Sequence, residues 1–499
     1  MVEPETSTQV SSDFSGVIEV RLSTSSGEDS FRITLGRTPV LPFNLSSYFF
    51  PFFIFSGLTH GVKLLKCVEG QFNKAFILTM SSGDVIVARL PYSNASPAFY
   101  AIMSEIATRN FLRDVLDIPI PRVYAWSAEA SNPVGAEYII EEKATGQPLG
   151  KLWDTLPIPE RLEVVNQIVA VEKKLASIPF PKHGCIYYES DLKSRSLIYE
   201  RLDILEGLAS VSSLCHKSEL PGFVIGPSSN PRLWEGKRAT MNIDRGPWNN
   251  AADYATAIGK NELEWATSYA EPRLNYHRPL EHFETPDDYI SLIKRYITIA
   301  SYLVSTSMDT EQTNRISHPD LHLDNIFIDP KTNKITCIID WQHVSASPRI
   351  LQKLYPQMLE ISAAEQSDQY KHEKMLLDHY CDAVKEAGPK HWKVLCEPHL
   401  TIRIDPIFLV PGCWDREDLF SLRNALITAV ARWDNINHHK NPCPVNFTDE
   451  ELLQHQNEME LIKGISAVMH QLQDEDLIPL GGMVRPQYYE RAKELNNIC

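Results

Sequence analysis

The sequence predicts an α+β chain of two lobes, a small strand-rich lobe followed by a larger, mainly helical one. Three observations predict it. Short apolar runs alternate with turn residues over 64–90. Proline-bounded segments with helical apolar spacing fill most of the chain from 159 onward. A polar loop, HPDLHLDN at 318–325, runs straight into a strand–turn–strand pattern that ends at Asp340.

In the small lobe, 64–69, 75–80 and 85–90 read as strands. They are joined by turns at 69–74 and at Ser82-Gly83-Asp84, and Pro91 closes the third because it lacks a ladder donor. Pro97 opens a helix over 98–116, where a missing amide proton costs little, and Pro119 and Pro121 end it. Strands follow at 123–127 and 137–142, and 145–148 reads as the crossover out of the lobe. Helices are then expected over 161–178, 250–272 and 286–305 and through most of 350–499, with a turn-rich stretch at 184–247. A hairpin is expected from 326–328 to 335–339 around the turn DPKTN. The domain reading is an N-terminal extension, partly disordered, over 1–63, a nucleotide-binding lobe over 64–144, and a helical lobe with catalytic loop and acceptor pocket over 145–499.

Composition narrows the partners. With 48 basic against 64 acidic side chains the formal charge is −16, which argues against a nucleic-acid partner. Nine cysteines without a C-x-x-C pair fit a reducing compartment and neither a disulfide framework nor a zinc site. The apolar stretch 41–58 is short for a membrane span and is interrupted by prolines, so membrane insertion is not expected. Residues 1–30 are too acidic and too polar for a secretory or obvious mitochondrial leader.

The chemistry lies in an ordered set. Asp320 and Asn325 stand in the spacing H-x-D-x-x-x-x-N, and Asp340 follows at the end of an apolar strand. A hairpin between them brings Asn325 and Asp340 together as hard oxygen ligands suited to Mg2+, leaving Asp320 to orient an acceptor hydroxyl. In the small lobe Arg89 ends a strand and Glu105 lies in the next helix, a pairing suited to holding a cation toward nucleotide phosphates. Gly70, with the turn running to Asn73 and Lys74, suits a close backbone approach to phosphate. Each residue alone is more often a turn, a cap or a surface pair; their order along the chain is what carries the reading. His318 reads as a brace for the loop, His322 as either site-lining or structural, and Cys337 as core.

The chain resembles the aminoglycoside phosphotransferase-like (phosphotransferase enzyme) family, related to choline kinases and protein kinases. Within it, the likeness is to a fungal branch that includes Altered inheritance of mitochondria protein 9. The stretches that carry it are EGQFNKAFILTMSSGDVIVARLP, NPVGAEYIIEEKATGQPLGKLWD, FVIGPSSNPRLWEGKR with NIDRGPW, and ISHPDLHLDNIFIDPKTNKITCIIDWQHVSASP. The resemblance implies a bilobal protein-kinase-like fold, ATP and Mg2+ as cofactors, and a small-molecule hydroxyl acceptor. Asp320 matches the catalytic-loop Asp, and Asn325 and Asp340 match the metal pair. Arg89 stands in the place of a kinase Lys, Glu105 is its partner, and the segment around Glu142 is the hinge beside the nucleotide. It also implies a mitochondrial location; without it, a cytoplasmic one is expected.

Three departures stand out: arginine rather than lysine at 89, a carboxylate at Glu141 where an apolar residue backs the nucleotide pocket, and an unusual lead-in over 38–63. Glu235 and Asp244 suit a cationic acceptor, although Arg238 and Arg245 lie nearby in the sequence. The leading expectation is an ATP-dependent small-molecule kinase. The alternatives are a nucleotide-binding pseudokinase or scaffold, and, on 41–58 alone, a membrane-anchored interaction protein.

Overall fold

The computed structural model describes residues 17–18, 61–67, 73–80, 82–91, 97–132, 134–202, 222–274, 283–304, 313–362, 365, 367–437 and 441–474. Gly70 and the stretch 41–58 lie outside these. The chain divides into two compact units, Met1–Ala257 with Ser305–Leu400, and Ile258–Val304 with Thr401–Cys499. Every candidate site residue belongs to the first.

That unit opens with an antiparallel sheet. Its strands are β1 (Val17–Ile18), β2 (Gly61–Lys66), β3 (Asn73–Met80), β4 (Val85–Pro91), β5 (Val123–Ser127) and β6 (Tyr138–Glu142), in the spatial order β1-β2-β3-β4-β6-β5. Period-2 alternation divides the faces: Ile86, Ala88 and Leu90 of β4 pack with Phe76, Leu78, Met80 and Ile140 on one side. The other side meets helix α1 (Ala98–Asp114), through Ile102 and Ile106 against Ile139. Arg89 is paired with Ile139 across β4–β6, so it shares the helix-facing side. Of the turn expected at 69–74, residues 69–72 lie outside the described residues, and the rest is strand. Asn73 and Lys74 begin β3, paired with Pro91 and Leu90, because a proline lacks the ladder donor but keeps its acceptor. The sheet also starts before Leu64, at Gly61, and takes in the Val17–Ile18 pair.

Beyond the sheet, β7 (Gln147–Pro148) leads into helix α2 (Ile158–Leu175), and β8 (Cys185–Tyr188), β9 (Glu200–Arg201) and β10 (Phe223–Gly226) form a small sheet ordered β8-β10-β9. After β11 (Asn314–Ile316) come β12 (Ile326–Ile328), β13 (Ile335–Ile338) and β14 (Ala346–Pro348). β12 lies between β13 and β7. The crossover expected at 145–148 therefore forms the third strand beside the β12–β13 hairpin. One core runs beneath these elements, with Phe111, Leu149, Val165, Ile168, Ile326, Ile328, Ile338 and Trp341 fully or almost fully buried.

The second unit is helical among its described residues. Helix Pro286–Val304 buries Tyr289, Leu292, Ile293 and Tyr296 on one side. Helix Leu419–Ala431 carries Arg423, which pairs at 2.7 Å with Glu458 of helix Asp449–Asp474. Among the described residues no helix is long and apolar enough to cross a membrane.

Candidate active site

The loop between β11 and β12 is held by His318. Its Nδ1 accepts from the Asp320 amide at 3.1 Å, so the ring proton sits on Nε2, which donates to the Ile339 carbonyl at 2.9 Å. Burial pushes this imidazole down to about 4, keeping it neutral and able to accept. The ring stands edge-on to Trp341 at 4.5 Å, and the Trp341 indole donates back to Ile338. His318 therefore ties the start of the loop to the end of β13, the bracing role its position implies.

The β12–β13 register places Ile326 opposite Ile338, and one step further the Ile339 amide donates to the Asn325 carbonyl at 3.0 Å. Asn325 and Asp340 thus end adjacent strands on the same side of the hairpin turn. The Asn325 side-chain amide donates to the Asp320 carbonyl at 3.0 Å, which orients the group and leaves its oxygen as the accepting end. Asp340 has φ 64, in the left-handed region, at a cost of about 1 kcal/mol for a residue with a Cβ. Burial, then the Glu105 carboxylate, pushes Asp340 above the ordinary carboxylate range; Arg89 offsets part of this, while Asp320 adds to it.

The small lobe supplies a buried ionic cluster. Arg89 Nε donates to Glu141 Oε1 at 3.0 Å, and its Nη2 donates to Glu105 and, at 3.3 Å, to Glu141 Oε2. Arg109 Nη1 donates to Glu141 and, at 3.3 Å, to Glu105 Oε1, and its Nη2 donates to the Pro121 carbonyl at 2.9 Å. Burial opposes both the Glu141 carboxylate and the Arg89 guanidinium, yet the paired charges win. Arg109 and Arg89 hold Glu141 below its ordinary range, and Glu105 and Glu141 raise Arg89 above its own. Strand and helix geometry explain the convergence. Glu141 follows Ile139 by two residues and stays on the helix-facing side, diagonal to Arg89. Glu105 and Arg109 share one face of α1 at i,i+4 spacing.

The carboxylate at Glu141, a departure read from sequence, is thus paired twice. Arg109 went unnoticed in the sequence, although its spacing from Glu105 was a signal. Lys353 also went unnoticed: its Nζ lies 3.4 Å from Asp320 Oδ1, while His322 Nε2 lies 3.6 Å from Oδ2. No sequence pattern joins positions 320 and 353. Glu142 accepts from the Arg122 amide at 3.1 Å, a brace on the strand end. Cys337 is buried in β13, and Glu235 pairs with Arg232 at 3.2 Å.

For magnesium, the residues present fit. The Asn325 side-chain amide donates to the Asp320 carbonyl, which leaves its oxygen to accept, and Asp340 is a half-buried carboxylate raised above its ordinary range, which is the donor set a hard divalent cation takes. Among the described residues no group of three or more His, Cys, Asp and Glu side chains forms a separate metal site.

Known proteins resemble the chain over most of its length. The model of the phosphotransferase enzyme family matches residues 68–351. A subtelomeric hrmA-associated cluster protein of Aspergillus fumigatus is 30% identical over 87% of this chain and 91% of its own length. Altered inheritance of mitochondria protein 9 of Debaryomyces hansenii, named as mitochondrial, is 23% identical over 79% of this chain and 68% of its own length. Among solved structures, an aminoglycoside phosphotransferase in complex with AMP-PNP and hygromycin B is 16% identical, with a TM-score of 0.38, over 79% of this chain and 99% of that one. The family match spans more than half the chain and includes both the Arg89 cluster and the Asp320–Asp340 loop, and the chain belongs to the phosphotransferase enzyme family, with its α+β protein-kinase-like fold.

Proposed function

We propose that the chain is an ATP-dependent kinase that phosphorylates a hydroxyl group of a small molecule. The observation that supports the reading is the hairpin register: the Ile339 amide donates to the Asn325 carbonyl at 3.0 Å and the Asn325 side-chain amide donates to the Asp320 carbonyl at 3.0 Å, which gathers Asp320, Asn325 and the end of β13 at Asp340 in one place. Asp320 orients the acceptor hydroxyl and takes its proton. Asn325 and Asp340 hold Mg2+, which when bound neutralises charge on the phosphates. Arg89 faces the nucleotide with Nη1, the guanidinium nitrogen that no protein acceptor takes among the described residues. Lys353 adds a cation beside the base. Residues 64–144 act as the nucleotide lobe, with Gly70, Asn73 and Lys74 toward the phosphates and Glu142 at the hinge. The helical remainder carries the acceptor pocket. The mitochondrial names of several relatives support a mitochondrial location.

The test is magnesium-dependent ATP turnover against a panel of hydroxylated metabolites, for the wild type and Asp320→Ala. Expected is a loss of about 10²–10⁴-fold in turnover, with magnesium–nucleotide binding kept within a few-fold. Turnover indifferent to Asp320 overturns the mechanism. Nucleotide binding without turnover across the panel favours the pseudokinase alternative.

A further inference from the structure

The ionic cluster of the small lobe holds more charge than a single cation–carboxylate pair requires. Arg89 and Glu105 alone balance. Glu141 adds a second carboxylate, only about a tenth exposed, and Arg109, at 4% exposure, adds a second guanidinium. Arg109 donates through Nη1 to the two carboxylates, while its Nε is buried without a hydrogen-bond partner among the described residues. Breaking such a buried set by removing one member leaves an uncompensated charge, which is costly in a site with little water.

We infer that Arg109 is a positioning residue of the nucleotide site, which pairs with Glu141 and Glu105 and balances the cluster so that Arg89 is held by two carboxylates with Nη1 left for the nucleotide. The inference rests on the kinase reading above. Without Arg109, two carboxylates share one guanidinium beside Asp340, and a net negative cluster repels the nucleotide phosphates. With it, the four charges cancel and Arg89 is fixed bidentately by Glu141 and by Glu105 from the helix. The groups facing Glu141 are Arg89 from β4, Arg109 and, through both guanidiniums, Glu105 from α1; from β13 the Cys337 thiol feels Glu141, Arg109 and Glu142. Removing Arg109 takes away the first of the two cations that keep Glu141 charged.

The experiment measures binding of Mg·AMP-PNP to the full chain across about pH 5.5–8.5, for the wild type, Arg109→Met and Arg109→Met with Glu141→Gln. In Arg109→Met the dissociation constant, taken as a ratio to wild type at each pH, is expected to rise by about tenfold or more, about 1.4 kcal/mol. The ratio grows with pH as Glu141 gains its charge. Adding Glu141→Gln is expected to recover most of the lost affinity and to flatten the ratio, because no carboxylate remains to ionise. An Arg109→Met protein with wild-type affinity overturns the inference. So does a folded variant whose loss is equal at every pH and is not recovered by Glu141→Gln, since packing alone would do that. Should Arg109→Met fail to fold, the double variant decides: affinity near that of the wild type supports the charge role, and lost affinity in a folded double variant overturns it. A wild type that binds no magnesium nucleotide removes the kinase reading itself, whereas nucleotide binding indifferent to Arg109 removes only this inference.

Discussion

At the scale of single residues, the site separates the two acids that matter by environment. Asp320 is half exposed and flanked by Lys353 and His322, which suits a group that meets an acceptor from solvent. Asp340 is half-buried and raised, which suits a group that meets a metal. Because its carboxyl is raised above the usual 3.8, magnesium competes with a proton at a higher pH than at an ordinary aspartate. Magnesium affinity measured by nucleotide titration should therefore fall as the pH drops through that raised value, and Asp340→Asn should weaken binding at neutral pH and remove this part of the slope. Glu141 has the opposite sign. Its pKa is depressed from 4.5, so its contribution to stability is present above that value and is lost as pH falls through the folded one. Glu141→Ala strands two guanidiniums on one carboxylate, and a loss of about 3–5 kcal/mol is expected in denaturant melts at neutral pH. A loss under 1 kcal/mol would show that the cluster is solvated.

Among the elements, the β12–β13 hairpin is the device that turns sequence distance into proximity. Its register, extended by the Ile339–Asn325 bond, is what sets Asn325 beside Asp340. β7 covers the outer edge of that hairpin, and Gly146 just before it has φ +92. A Cβ there would lie 2.5 Å from the Ile328 carbonyl and from Thr336 Oγ1. Gly146→Ala is expected to cost about 1–3 kcal/mol in thermal or denaturant melts and to lower turnover by displacing the hairpin. Unchanged stability would mean that β7 shifts freely and does not set the hairpin. Helix α1 works in the same way for the other half of the site: one turn of helix presents Glu105 and Arg109 together to the strand that carries Arg89.

Across the whole molecule, buried histidines set the acid limit. His318 is lowered to about 4 and His183 to about 3, each by burial, from an ordinary 6.5. A lowered histidine contributes stability that is complete above 6.5 and is lost as pH falls toward the folded value. His183 sits among Trp248 and Tyr254, and among the described residues its Nδ1 has no hydrogen-bond partner, so burial alone opposes its protonation. The formal charge of −16 acts the other way, because protonating surface carboxylates eases self-repulsion. The melting temperature is expected to hold on mild acidification and then drop below about pH 6. His183→Phe should flatten that drop, and an identical acid limb in this variant would assign the loss to other groups.

Much of this was legible along the chain because its signals are local. Period-2 runs, prolines at helix ends and the spacing from His318 to Asn325 depend only on neighbouring residues, so the α+β class, the strands of the small lobe, α1 and the β12–β13 hairpin could all be read from residue order. The hairpin turn even implied that Asn325 meets Asp340. What residue order could not determine was charge pairing across elements. Glu141 looked like a carboxylate in an apolar place. Only the diagonal between β4 and β6, together with the turn of α1, brings two arginines to it. Lys353 reaches Asp320 from 33 residues away, a proximity that only packing creates. The sequence by itself determined which elements form and which residues are candidates for the chemistry. The tertiary structure decided how those charges are balanced, because electrostatic energy depends on separation and burial, and residue order encodes neither.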